Sequence, residues 1–178
     1  KIDRELDGWK QRKDSKPLVL MGPRQVGKTT SVLAFGARAY ESVVHIDFYR
    51  QPQMKAAFAG SLEPEVIVKT LEALLQRDID PSTTLLFLDE IQDCDNAITS
   101  LKFFCSDAPQ FDVIAAGSLL GVHVARKGSF PVGYVDMLDM HPMDFEEFCW
   151  ALGEQRAFAL LRANFESLGP FPLHERLM

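Results

Sequence analysis

The stretch LVLMGPRQVGKTT, Leu18 to Thr30, changes character in its middle. Leu18 to Met21 are uniformly apolar, which suits a short buried strand. Gly22 to Thr29 then fits G-x-x-x-x-G-K-[ST], and Lys28 to about Ala39 reads as a helix. A strand, a glycine-bounded loop and a helix are what wrapping a chain around a phosphate requires. Backbone N–H groups must turn inward, and that needs glycine at Gly22 and Gly27. Lys28 brings a mobile positive charge to the β- and γ-phosphates, and Thr29 offers a hydroxyl ligand for Mg²⁺. The helix after Gly27 adds the partial positive charge of its N-terminus. Pro23, Arg24, Gln25, Val26 and Thr30 complete the phosphate-binding stretch. Arg24 touches phosphate or a partner surface, or is simply exposed.

A second signal lies downstream in Leu85-Leu86-Phe87-Leu88-Asp89-Glu90. Four apolar residues bury a strand and deliver Asp89 to its C-terminal end, where open α/β sheets bind ligands. Asp89 is there the candidate Mg²⁺ residue. Glu90 is placed to polarise an attacking water as a general base. The adjacent acid pair favours a hydrolytic ATPase over GTPases and small kinases, and no N-K-x-D guanine-reading motif is present. Gly117-Ser118 follows another apolar run, Val113 to Ala116. Ser118 is the candidate sensor of the γ-phosphate, the alternative being a helix cap. Arg126 and Lys127 either meet a γ-phosphate, in cis or in a neighbouring subunit, or are solvated. Asp47 supports the metal site or plays a local structural part.

Between these motifs strands and helices alternate. Val43–Asp47, Leu85–Leu88 and Asp112–Ala116 read as further strands, and Val132–Met140 as a less regular fifth. Helices are expected over Pro64–Arg77 and over Ala97–Asp107, the latter capped by Asp95 or Asn96. After a loop from Gly121 to Gly133, Asp144 and Glu147 stand at capping-box spacing, with Gly153 as a stop. A last helix spans Glu154–Leu168, ended by Gly169-Pro170. Short apolar strands between helices indicate α/β architecture, a parallel sheet covered on both faces. Phe145, Phe148 and Trp150 sit near helical spacing and are expected in a core.

The 178 residues are 47% hydrophobic and 25% charged, an ordinary globular composition that argues against disorder. The length suits one well-buried core. A net charge of −6 gives no global nucleic-acid footprint, although it does not exclude a local basic patch. Cys94, Cys105 and Cys149 form no C-x-x-C and read as free thiols of a reducing compartment. His45, His123, His141 and His174 have no metal-ligand spacing. KIDRELDGWKQRKDSK has no apolar h-region, and no apolar run approaches the roughly 20 residues of a membrane span. A cytoplasmic protein without a membrane partner is the expectation. The start at Lys1 and the stop inside PLHERLM read as an excerpt of something longer.

Together GPRQVGKTT, FLDEIQ, and FDVIAAGSLLG followed by SFPVGYVDMLDMHPMDFEEF resemble the AAA+-type P-loop ATPases of bacteria and archaea that carry a C-terminal domain of unknown function. The resemblance runs from about Leu18 onward. It implies a P-loop NTPase three-layer sandwich, with a five-stranded parallel sheet in the order 5-1-4-3-2 and a C-terminal helical extension. It implies an ATPase core over residues 1–150, and residues 151–178 leading towards a further domain. It also gives Lys28, Thr29, Asp89, Glu90 and Ser118 the roles argued above. Tyr134 follows Gly133 where relatives often place a basic residue, so no arginine-finger role is carried to that position.

The expected function is Mg²⁺-dependent binding and hydrolysis of ATP. The alternatives are a nucleotide-dependent switch or scaffold with little turnover, and a P-loop kinase. An activating arginine is expected from a homo-oligomer or a partner protein, and DNA only through the full-length protein.

Overall fold

The computed structural model describes residues 1–12, 14, 16–118 and 130–167. Two compact units divide the chain, Lys1–Met140 and His141–Met178. In the first unit the strands are β1 (Leu18–Met21), β2 (Ser42–Asp47), β3 (Thr84–Asp89), β4 (Val113–Gly117) and β5 (Asp136–Asp139). All pair in parallel in the order β2-β3-β4-β1-β5, which is 5-1-4-3-2 seen from the other edge. The fold is thus the P-loop NTPase sandwich. Parallel neighbours need crossovers, and helices α1 (Ile2–Gln11), α2 (Lys28–Ala39), α3 (Pro64–Leu75) and α4 (Asp95–Asp107) cover the faces.

The period of two sorts the strand residues into two cores. Leu18, Leu20, Leu85, Phe87, Ile114 and Ala116 face Leu6 and Trp9 of α1 and Val32 and Phe35 of α2. Val19, Leu86, Leu88, Val113 and Ala115 face the other way, towards α3, α4 and the 3-10 segment Pro52–Phe58. Every residue of β3 and β4 is buried, as central strands of a doubly covered sheet must be. Tyr40, just after α2, donates its hydroxyl to Asp112 at 2.7 Å and so ties the end of that helix to the approach of β4.

The sequence signals differ from the structure in several places. Helix α1 has no counterpart in the sequence reading, because its apolar content is reduced to Leu6, Trp9 and a half-buried Ile2 in a charged segment. Trp9 donates its indole N–H to Lys16 O, which folds the helix back ahead of β1. The fifth strand is shorter than Val132–Met140. It is an edge strand whose residues alternate between half-buried and exposed, and Pro131 to Gly133 turn before it. The N-cap position of α4 is Cys94, with extended backbone and no side-chain cap, rather than Asp95 or Asn96.

In the second unit, α5 (Phe145–Ala151) starts with the expected capping box between Asp144 and Glu147. Gly153, at φ 76°, separates it from α6 (Gln155–Ser167). Phe145 and Phe148 are not core: they are 51% and 50% exposed. A two-turn helix offers one narrow face, and Cys149 occupies its buried position, while Phe145 meets Phe158 of α6 at its rim. All three cysteines are free thiols, Cys94 and Cys149 buried and Cys105 partly so.

Candidate functional site

The loop after β1 departs from ordinary backbone at three points: Gly22 at φ 148°, Gln25 at φ 64° and Gly27 at φ 94°. Gly22 has a second reason to be glycine. A Cβ there would lie 2.1 Å from the carbonyl oxygen of Met140. Gln25 adopts a left-handed conformation without the freedom of glycine, at a cost of about 1–3 kcal/mol. Gly27 is the N-cap of α2, so the first amides of that helix open onto the loop.

Lys28 is the first residue of α2 and is buried. Its ammonium donates to Gly22 O at 2.8 Å and to Pro23 O at 2.6 Å, drawing the two ends of the loop together. Burial lowers its pKa, and the negative charges of Glu90 and Asp89 oppose that shift. Thr29, one residue on, donates its hydroxyl to Asp89 Oδ2 at 2.8 Å. The first turn of α2 and the end of β3 therefore meet at a hydroxyl–carboxylate pair.

Asp89 is 3% exposed. Burial alone would raise its pKa. His45 Nε2 at 3.3 Å, the Thr29 hydroxyl and the backbone N–H of Glu90 at 3.0 Å outweigh burial and hold the carboxyl below its ordinary range. Glu90 leaves the strand with left-handed backbone, φ 48° and ψ 44°. Its Oε2 accepts from the amide of Gln92. Ser118 follows β4, and its buried hydroxyl has no hydrogen-bond partner among the described residues.

Lys28, Thr29, His45, Asp89, Glu90 and Gln92 line two adjoining recesses, and Ser118 lines neither. One of about 410 Å³ is lined by Arg24, Gln25, Gly27, Lys28, Thr29, Thr30 and Glu90. The other, of about 690 Å³, runs from Thr29 and Arg24 past His45, Asp47, Asp89 and Glu90 to Tyr49 and Arg50. Arg24, Gln25 and Thr30 are exposed and Val26 is half-buried, so the loop's outer wall faces solvent. Asp47 accepts from the backbone N–H groups of Tyr49 and Arg50 at 3.0 and 2.9 Å, which is a local turn-forming arrangement. Tyr134 stacks under the Lys102 ammonium, with 5.2 Å from the nitrogen to the ring centre. Arg126 and Lys127 lie outside the described residues.

No group of three or more His, Cys, Asp or Glu that could hold a metal is found among the described residues. Magnesium does not require one, since it favours one or two carboxylates together with phosphate and water oxygens. The donors at Thr29 and Asp89 are hard oxygens and fit that chemistry. Sequence reasoning brought together Gly22 to Thr30, Asp89 and Glu90, and missed His45 and Gln92. For His45 the signal lay in strand periodicity. In parallel register His45 faces Phe87 and stacks on it at 4.8 Å, so its ring edge reaches Asp89, two residues further along the same face.

A family model described as AAA domain matches residues 14–149. Among solved structures, the Walker-type ATPase of Pyrococcus abyssi is similar with a TM-score of 0.50 and 16% identity, over 96% of this chain and 58% of that one. The ORC1 protein of Aeropyrum pernix, solved in complex with DNA, is similar with a TM-score of 0.52 and 14% identity, over 93% of this chain and 57% of that one. The chain thus spans less than three fifths of either structure, and identities this low speak for the fold alone. No curated protein matches the chain.

Proposed function

The chain belongs to the AAA domain family, and from that premise we propose that it binds ATP along the C-terminal edge of the sheet and hydrolyses it with the help of Mg²⁺. One observation carries the reading. Thr29 from the first turn of α2 and Asp89 from β3 meet at 2.8 Å, and Lys28 and Glu90 line the same recess as Thr29. Two carboxylates beside a buried lysine and the N-terminus of α2 form a place where a polyphosphate with a divalent cation balances the charges.

Each residue then has a task. Backbone N–H groups from Gly22 to Thr29 hold the β-phosphate, and the Lys28 ammonium moves from the loop carbonyls to the β- and γ-phosphate oxygens. Thr29 and Asp89 are the residues that hold Mg²⁺, whose chemistry when bound is to neutralise charge on the phosphate oxygens. The Glu90 carboxylate takes a proton from the attacking water as the water oxygen bonds to the γ-phosphorus. The bond from that phosphorus to the β,γ-bridging oxygen breaks, giving ADP and phosphate. Ser118 donates its hydroxyl to the γ-phosphate, which gives a buried polar group a partner.

Replacing Lys28→Ala should abolish ATP binding measured by calorimetry. Glu90→Gln should retain binding but lose turnover on the order of 100-fold or more. Turnover by Glu90→Gln at the parental rate would overturn the catalytic assignment.

A second reading has an observation of its own. The arginines lining the two recesses, Arg24 and Arg50, are largely exposed. Hydrolysis in such enzymes often needs an arginine supplied by a neighbour. Without one, the same site is an ATP-dependent switch. Specific turnover that climbs steeply with protein concentration supports the trans-activated ATPase, and uniformly negligible turnover supports the switch.

A further inference from the structure

Glu90 is held by a neighbour to which the proposed reaction gives no task. Gln92, in the 3-10 turn Ile91–Asp93, donates its amide Nε2–H to Glu90 Oε2. At its other end, Gln92 Oε1 is buried and has no hydrogen-bond partner among the described residues. Chemistry links the two facts. A carboxylate offers only lone pairs, so the amide nitrogen must face it. The rotated amide would set oxygen against oxygen. Holding Glu90 therefore turns the amide oxygen into a place with no donor among the described residues, and burying an unmet acceptor is unfavourable. For packing alone, an apolar side chain of the same shape would serve better.

The backbone of Glu90 points the same way. Its left-handed conformation is unfavourable for a residue with a Cβ. Two local costs, the unmet acceptor of Gln92 and the left-handed backbone of Glu90, accompany one carboxylate contact and point to a constraint set by function.

We propose that Gln92 is a positioning residue that fixes one oxygen of the Glu90 carboxylate, leaving the other oxygen to accept the proton of the attacking water. The inference rests on the reading of Glu90 as the base. Glu90 shares its recess with Lys28, whose charge attracts it. That attraction would draw an unrestrained carboxylate towards the ammonium. The amide of Gln92 opposes that motion without taking part in any bond that forms or breaks.

Gln92→Met keeps the length of the side chain and removes both the donor and the unmet acceptor. The expected result is a fall in kcat on the order of 10- to 100-fold, with KM for ATP held within about twofold. The thermal midpoint should be equal to the parent's or higher. Stability and turnover moving apart is not what a packing role produces. Gln92→Leu, a second apolar replacement, should behave the same way. The proposal is overturned if kcat of both variants stays within about twofold of the parent, or if KM rises in step with the fall in kcat. Glu90→Gln in the same assay separates the two layers. If it turns over like the parent, the base assignment fails and takes this inference with it. If it is inactive while Gln92→Met is parental, only the positioning role is lost.

Discussion

Gly22 shows how little freedom the site leaves to its residues. Its φ of 148° and the 2.1 Å approach of a would-be Cβ to Met140 O are independent reasons for glycine. The obstructing atom is backbone, so no side chain can rotate out of the way. Gly22→Ala should cost about 3 kcal/mol of stability, read as the shift of a urea midpoint, and should weaken ATP binding as well. Gln25, by contrast, has its left-handed conformation on the exposed part of the loop, with nothing printed in sequence to announce it. That Lys28, Thr29, Asp89 and Glu90 belong together was legible because phosphate chemistry demands those residue types at that spacing. The contacts of His45 and Gln92 were not, since a histidine in a strand and a glutamine after an acid pair are each compatible with a merely structural place. Only the register of β2 on β3, and the turn after β3, show what their side chains reach.

Among the elements, α1 was hidden by its polarity. Leu6 is fully buried, and Trp9 packs edge-on against Phe35 with ring centres 6.4 Å apart. Its outer face is charged, and Arg38 of α2 bonds Asp3 and Asp7 at 3.1 and 2.8 Å. Those ion pairs are exposed and add little; the apolar seam does the anchoring. Leu6→Ala should destabilise the protein by about 3 kcal/mol in chemical denaturation, and leave KM for ATP unchanged. The central strands were legible for the opposite reason. A strand buried on both faces is apolar along most of its length, so β1, β3 and β4 announce themselves. The edge strand β5 has a neighbour on one side only, and its sequence is correspondingly mixed. Its limits could not be read from an alternation that loops also show.

Across the whole molecule, the charges that form the site also set its response to acid. Asp89 titrates below its ordinary range in the folded chain and at about 3.9 when unfolded. As pH falls, the unfolded chain therefore takes up the proton first. The contribution of Asp89 is intact above about pH 4 and is lost as pH drops through the folded value. Asp89→Asn should thus lower stability at neutral pH and vary less than the parent below about pH 4, measured as urea midpoints along a pH series. No helix among the described residues is long and apolar enough to cross a membrane. The order of the sheet was legible only through resemblance, because periodicity finds strands but does not say which lie side by side. Where the loop after β1 begins, a Cβ on Gly22 would run into the backbone of Met140, the residue after β5. Side chains absorb small displacements by changing rotamer; two lengths of backbone in direct contact do not. A side chain at position 22 would therefore have to displace backbone that the Met140 N–H fixes to Met21 O at 2.7 Å.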